Sequence, residues 1–221
     1  MFRDRQHAGA ILAAGLSAYR GQPQTLLLAI PRGGVAVAAA VAKELALPMD
    51  VLPVRKLGAP HQPELGIGAV ADGLMVVDQD AITKLGVSQS QLDEAVARER
   101  AELARREREY RGELPPPVVT QQTIILIDDG LATGYTMLAA VRAVRGGDPA
   151  RIVVAVPVAA SETVDWLRPE VDELVCAYVA RRLTAIGLYY EDFAQLSDEE
   201  VRTMLEEARA SRRLQDERAS A

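Results

Sequence analysis

Two adjacent carboxylates, Asp128 and Asp129, close a run of four apolar residues, 124–127. Ionised side by side they repel, so they call for a cation or for donors such as the two vicinal hydroxyls of a sugar. Directly after them comes Gly130-Leu131-Ala132-Thr133-Gly134-Tyr135-Thr136, a turn with two glycines and two threonine hydroxyls. Met137, Leu138, Val141 and Val144 then recur at helical spacing. The first turn of a helix has N–H groups without partners and lies at the positive end of its dipole. A phosphate can rest there, with Thr133 and Thr136 donating hydrogen bonds. Phosphate at one end and a sugar diol or Mg²⁺ at the other describe a ribose 5-phosphate. The plain alternative is an ordinary strand-to-helix turn with a surface Asp pair.

Two further groups of residues suit a polyanion. Pro31-Arg32-Gly33-Gly34 joins the apolar run 25–30 to an Ala-rich helical stretch ending near Ala46. Its glycines permit close approach of backbone to a ligand, and Arg32 supplies a fixed cation with several donors. The run 49–54 reads as a strand that delivers Arg55 and Lys56 at its end. Residues 57–63, with two prolines and no periodicity, then read as a lid that closes over a polyanion, or as a solvated surface loop. Residues 64–71 contain a nominal G-x-G-x-x-A, but no helix follows, so a hairpin about Asp72-Gly73 replaces the dinucleotide reading.

The stretch IILIDDGLATGYT resembles the PRPP-binding motif of type I phosphoribosyltransferases, and PRGG resembles their pyrophosphate loop. The resemblance is carried by these two loops and covers roughly residues 25–180. It implies displacement of pyrophosphate from C1 of Mg-PRPP by a ring nitrogen of a nucleobase or similar heterocyclic acceptor. In that scheme residues 130–136 grip the 5-phosphate. Arg32, Gly33, Gly34, Arg55 and Lys56 bind pyrophosphate, with the Arg55-Lys56 pair resembling the root of the orotate enzymes' flexible loop. Asp128 and Asp129 fix the ribose hydroxyls and touch Mg²⁺ through water, so that Arg32, Lys56, Asp128 and Asp129 carry the catalysis. A C-terminal hood covers the acceptor in this family. Tyr189, Tyr190 or Phe193 would stack on it and Glu191 or Asp192 would bond its edge, unless these aromatics merely anchor the tail. Enzymes for 6-oxopurines usually place an Asp where Ala132 stands; alanine there looks more like the adenine, orotate and uracil loops. A PRPP-sensing protein on the same fold, without turnover, is the competing expectation. A homodimer is a family expectation alone.

The elements that must position these residues alternate as strand and helix from 25 to 180. That pattern predicts an α/β fold, a mostly parallel sheet with helices on both faces. Ligands of such sheets bind at the carboxyl ends of the strands, where Arg32, Arg55, Lys56, Asp128 and Asp129 are expected to converge. A core over 1–180, with a helical insertion at about 79–112, and a hood and tail over 181–221 complete the expected organisation. The long helix within 88–111 carries acids and bases three or four residues apart, the pattern of a solvated face. A final helix starts at Ser197 and is expected to fray beyond Ala210.

At 221 residues the chain fits one large domain, and its net charge of −6 argues against nucleic acid or anionic membrane as partner. No apolar run reaches the length of a membrane span. Residues 8–16 imitate a signal peptide only faintly, because Asp4 interrupts the positive region, so a cytoplasmic protein is expected. The one cysteine, Cys176, excludes an internal disulfide and reads as a buried small hydrophobe. His7 and His61 have no partner at recognisable spacing and read as surface residues.

Overall fold

The computed structural model describes residues 1–60, 62–71 and 74–219. The chain opens with α1 (Arg5–Gly15), β1 (Thr25–Ala29), α2 (Gly33–Leu45) and β2 (Met49–Val51). β3 (Val54–Ala59), β4 (Gln62–Ala71) and β5 (Leu74–Val77) follow, then α3 (Gln79–Lys84) and α4 (Gln89–Arg111). β6 (Thr123–Ile127), α5 (Tyr135–Arg145), β7 (Arg151–Ala160), α6 (Ser161–Leu167) and β8 (Glu173–Ala180) complete the core, and α7 (Asp198–Ala219) closes it.

Five parallel strands form the central sheet in the order β2-β1-β6-β7-β8. Leu27 stands opposite Met49 on one side and Ile125 on the other, and Ile125 opposite Val153. Successive residues of a strand face opposite ways, and both faces here are apolar. Leu28, Ile124, Leu126 and Val154 pack on Met137 and Val141 of α5 and Val164 of α6. Leu27, Ala29, Ile125 and Val153 pack on Leu12 of α1, Val37 and Val41 of α2, and Val201 and Leu205 of α7. The expected mostly parallel sheet with helices on both faces is therefore what the chain forms. From β1 the chain steps to β2 in one direction, and from β6 to β7 and β8 in the other. The order reverses between β1 and β6, and a crevice opens outside the carboxyl ends of strands at such a point.

The expected single strand over 49–54 is corrected. β2 ends at Val51, and Val54 opens a separate antiparallel sheet ordered β3-β4-β5. Arg55 and Lys56 thus lie within β3, opposite Val70 and Ala69, rather than at the end of a parallel strand. Leu57 and Ala59, expected in a lid, are buried with Ile67 of β4 and with Leu92 and Val96 of α4. Their burial against α4 is what turns a glycine- and proline-bearing stretch into strand. β4 and β5 do pair as a hairpin; His61 and the Asp72-Gly73 turn lie outside the described residues.

α4 is stabilised at its start by a reciprocal capping box between Ser88 and Gln91. Along it Glu102 takes ion pairs from Arg105 and Arg106. One side of α4 nevertheless buries Leu92, Ala95, Val96, Leu103 and Tyr110, so only the opposite face is solvated. Residues 2–3 are zipped to the segment 189–192. Phe2 N–H donates to the Tyr189 carbonyl, and the Glu191 and Asp192 N–H groups donate to the Phe2 and Arg3 carbonyls, each at 2.8 Å. A second capping box, Ser197 with Glu200, starts the last helix, which spans Asp198–Ala219. His7 is tied into the start of α1, its N–H donating to Asp4 and its Nδ1 accepting from Arg3 N–H. Among the described residues no helix is long and apolar enough to cross a membrane.

Candidate active site

The loops leaving β1 and β6 meet at the point where the strand order reverses. Ile30 N–H donates to the Ile127 carbonyl at 2.8 Å, carrying the pairing one residue past the end of β1. The Pro31–Arg32 peptide is cis, and Gly33 and Gly34 then open α2. A Cβ on Gly33 would collide with Asp129 Oδ2, and one on Gly34 would stand 2.6 Å from the Ile127 carbonyl oxygen. Glycine is demanded at both positions by contact with the acid pair and the strand that carries it.

The acid pair is nearly enclosed. Asp128 Oδ1 accepts from the Asp129 N–H at 2.8 Å. Asp129 Oδ2 accepts from Arg5 Nε at 2.8 Å, with the two side chains only 14% and 11% exposed. Burial, then the neighbouring Asp129 charge, holds the Asp128 carboxyl well above the usual carboxylate range. Burial also raises Asp129, opposed by Arg5. The cation that the pair calls for is therefore already present, on a helix 124 residues away in sequence. Nothing in the sequence around Arg5 marks it. The Tyr190 hydroxyl donates to the Asp129 carbonyl at 2.7 Å, closing the pair from the tail side.

Residues 130–136 are held on three sides. Leu131 N–H donates to the Val158 carbonyl at 2.9 Å, and Ala160 N–H returns a bond to Leu131 at 3.0 Å, fastening the loop to the end of β7. The Thr163 hydroxyl donates to the Ala132 carbonyl. Gly134 has φ +79°, and a Cβ there would meet the Trp166 ring at 2.6 Å. Leu138 N–H is the donor that closes the first turn of α5, to the Gly134 carbonyl at 2.9 Å. The amides of Tyr135, Thr136 and Met137 precede it without intrahelical acceptors. An exposed Thr133 and a half-exposed Thr136 flank these donors. Thr163 and Trp166, which fix the loop, gave no signal in the sequence.

Tyr135 of this loop donates its hydroxyl to Asp78, which also caps α3 by accepting from Ala81 N–H at 2.9 Å. The Tyr135 bond is the main reason that the Asp78 carboxyl lies below its ordinary value of 3.8. Asp78 therefore contributes stability above pH 3.8 that fades as pH falls through its lowered folded value. Tyr135→Phe should lose about 1 kcal/mol near neutral pH. It should also weaken the dependence of the unfolding midpoint on pH below 4, as followed by circular dichroism from pH 2 to 7.

The remaining expected residues sit as follows. Arg32 lies 3.8 Å from Asp198 Oδ1 at the start of α7, and Asp198 also accepts from Arg105 and from the Tyr110 hydroxyl. Arg55 is bound to Glu99 of α4 through Nε at 3.0 Å, which turns it toward that helix. The Lys56 stem lies against Gly66, with the Tyr135 ring also beside Gly66, which brings Lys56 to the flank of the 130–136 loop. Of the aromatics expected to stack on an acceptor, Tyr190 is 5% exposed and packs on Phe2 and Phe193 with ring centres 5.3 and 4.9 Å away. Phe193 lies under the Arg5 guanidinium at 3.9 Å. These two rings anchor the tail, the role open to them as an alternative. Tyr189 packs on Tyr178, ring centres 5.4 Å apart, while Glu191 and Asp192 are exposed. Cys176 is half-buried, and burial pushes its thiol up, away from nucleophilic character.

The family described as phosphoribosyl transferase domain matches residues 5–176. The chain belongs to the phosphoribosyltransferase family. Rv0571c of Mycobacterium tuberculosis (strain H37Rv), named provisionally as a phosphoribosyl transferase, is 37% identical to this phosphoribosyltransferase-family chain over 209 residues, 94% of this chain and 47% of that protein. A second strain of the same species, CDC 1551, has a counterpart with the same identity and coverage. The chain thus spans about half the length of the curated relatives it matches. The crystal structure of TT1426 from Thermus thermophilus superposes with a TM-score of 0.76 at 42% identity, covering 92% of this chain and 97% of that one. Both glycine turns and the acid pair lie within the span matched by the family, as does Arg5, at its first residue.

Proposed function

We propose that the chain uses Mg-PRPP as a phosphoribosyl donor and transfers the group to a ring nitrogen of a nucleobase or similar heterocycle. What supports this most is one juxtaposition: the Gly33-Gly34 turn lies against the Asp128-Asp129 pair where the strand order reverses, beside the open first turn of α5. Pyrophosphate, ribose and 5-phosphate sites would follow one another across that crevice in the order in which the groups occur in PRPP.

In this reading the C1–O bond to pyrophosphate breaks, and its electron pair leaves on the pyrophosphate oxygen. A C1–N bond forms, and the acceptor's N–H proton passes to solvent. Arg32 and the amide of Gly33 neutralise the leaving pyrophosphate, with Lys56 approaching from β3; the Gly34 amide is already given to the Ile30 carbonyl at 3.1 Å. The 130–136 loop holds the 5-phosphate through the amides of Tyr135 to Met137 and the Thr133 and Thr136 hydroxyls, so that binding energy orients C1. Asp128 and Asp129 accept from the ribose hydroxyls. Among the described residues no group of three or more His, Cys, Asp or Glu side chains is placed to hold a metal ion. Two acids alone fit a magnesium ion that arrives on PRPP, contacted through its water. Its contribution there is to neutralise charge on pyrophosphate.

A second reading, PRPP sensing without turnover, is favoured by the packing of Tyr190 between Phe2 and Phe193, which leaves it no open face for an acceptor. Incubation with Mg-PRPP and a panel of purine, pyrimidine and pyridine bases separates the two. Base-dependent release of pyrophosphate supports transfer. PRPP binding with no release against any base supports sensing.

A further inference from the structure

Among the described residues Arg5 has three partners, and all belong to one crevice. Its Nε donates to Asp129 Oδ2 at 2.8 Å and its Nη1 to the Ala194 carbonyl at 2.8 Å, while its guanidinium lies 3.9 Å over the Phe193 ring. Nε would also stand 2.9 Å from a Cβ on Gly33, so the guanidinium fills the space where the glycine turn, the acid pair and the tail converge. An arginine on the first turn of a helix ordinarily points to solvent, and the α-helix dipole disfavours a cation there. Here it is 11% exposed and carries no ion pair to its own helix among the described residues. Its planar fork is suited to fixing a carboxylate in one orientation, which an ammonium cannot do.

We propose that Arg5 is a positioning residue for the ribose of PRPP. By holding Asp129 Oδ2 it presents the other oxygens of the Asp128-Asp129 pair to the ribose hydroxyls, and through Phe193 and Ala194 it keeps the 189–194 segment closed beside them. The inference rests on the PRPP reading above and adds a residue to it. It separates the ligand into parts: the sugar depends on Arg5, whereas pyrophosphate, held by Arg32 and the glycine turn, does not.

The test is titration calorimetry of wild type, Arg5→Lys and Arg5→Met with Mg-PRPP and, separately, with magnesium pyrophosphate, each variant's fold being checked by its unfolding midpoint. Removing a charge-assisted hydrogen bond should weaken PRPP binding about tenfold in Arg5→Met. Pyrophosphate affinity should stay at the wild-type value, and Arg5→Lys should recover part of the loss. Unchanged PRPP affinity in Arg5→Met overturns the inference, and so does an equal loss for PRPP and pyrophosphate, which is the mark of a merely structural role. A wild-type chain that binds no PRPP fails differently, since it removes the PRPP reading itself.

Discussion

Gly34→Ala should destabilise the chain by about 3 kcal/mol, the upper end of ordinary overpacking. For a chain of this size that is a midpoint drop of roughly 6–12 °C. The added Cβ would fall 2.6 Å from the Ile127 carbonyl oxygen and 2.9 Å from Asp128 Cα. Both are backbone atoms, one on the last residue of the buried central strand and one on the residue after it, so neither can swing away and α2 must shift instead. Gly33→Ala differs in kind: its Cβ meets the Asp129 carboxylate, which can rotate, but only by leaving Arg5. Gly33→Ala is therefore expected to keep more stability than Gly34→Ala and still lose PRPP binding. Gly146→Ala is the control, because its Cβ would approach nothing nearer than the Ala143 carbonyl at 3.4 Å. Differential scanning calorimetry of the three variants measures the ranking.

Arg32→Ala should remove about a hundredfold or more of kcat/KM for any active acceptor, the usual result of deleting one stabiliser of a developing anion. Its unfolding midpoint should move by only a few degrees. The Arg32 partner in the folded chain is Asp198 at 3.8 Å, a pair with side chains 23% and 20% exposed. A loose, partly solvated pair of this sort contributes about 0–1 kcal/mol. Tyr110 and Arg105 continue to hold Asp198 when Arg32 is gone. Arg55→Ala should give a smaller loss of turnover than Arg32→Ala, because Arg55 is bound to Glu99 and faces α4. Steady-state pyrophosphate release with wild type and both variants tests the order. Equal losses would return Arg55 to the role that its position beside Lys56 suggested.

The central sheet was legible because its information is local. Residues 124–127 are apolar without interruption, as a strand covered on both faces must be, and each glycine turn announces where backbone approaches backbone or ligand. The meeting of the two turns followed from a single topological rule, and the close contact of Gly33 with Asp129 bears it out. β3 was missed because its signal is not local: Leu57 and Ala59 gain their burial from α4, some 35 residues later in the chain. A segment holding Arg55, Lys56, Gly58 and Pro60 looks like loop until that helix covers it. Arg5 was illegible for the same reason, as its partner is 124 residues away and helix patterning says nothing about which cation will reach an acid. The tail aromatics carried two readings, and residue type does not choose between them. Packing does: Phe2, 188 residues earlier in the chain, occupies the face of Tyr190.

The measurement that bears most directly on the account is thermal unfolding with and without Mg-PRPP, for wild type and for Asp128→Asn/Asp129→Asn. At about 100 times Kd, bound PRPP should stabilise the wild type by roughly 2.7 kcal/mol. That corresponds to a rise of roughly 5–10 °C in the midpoint. The comparison is of the ligand-induced rise, since removing two buried, mutually repelling carboxylates changes the unliganded midpoint as well. The account predicts a clear rise in the wild type and none in the double variant. No rise in the wild type, or the same rise in both, would contradict the assignment of the acid pair as the place where PRPP is held.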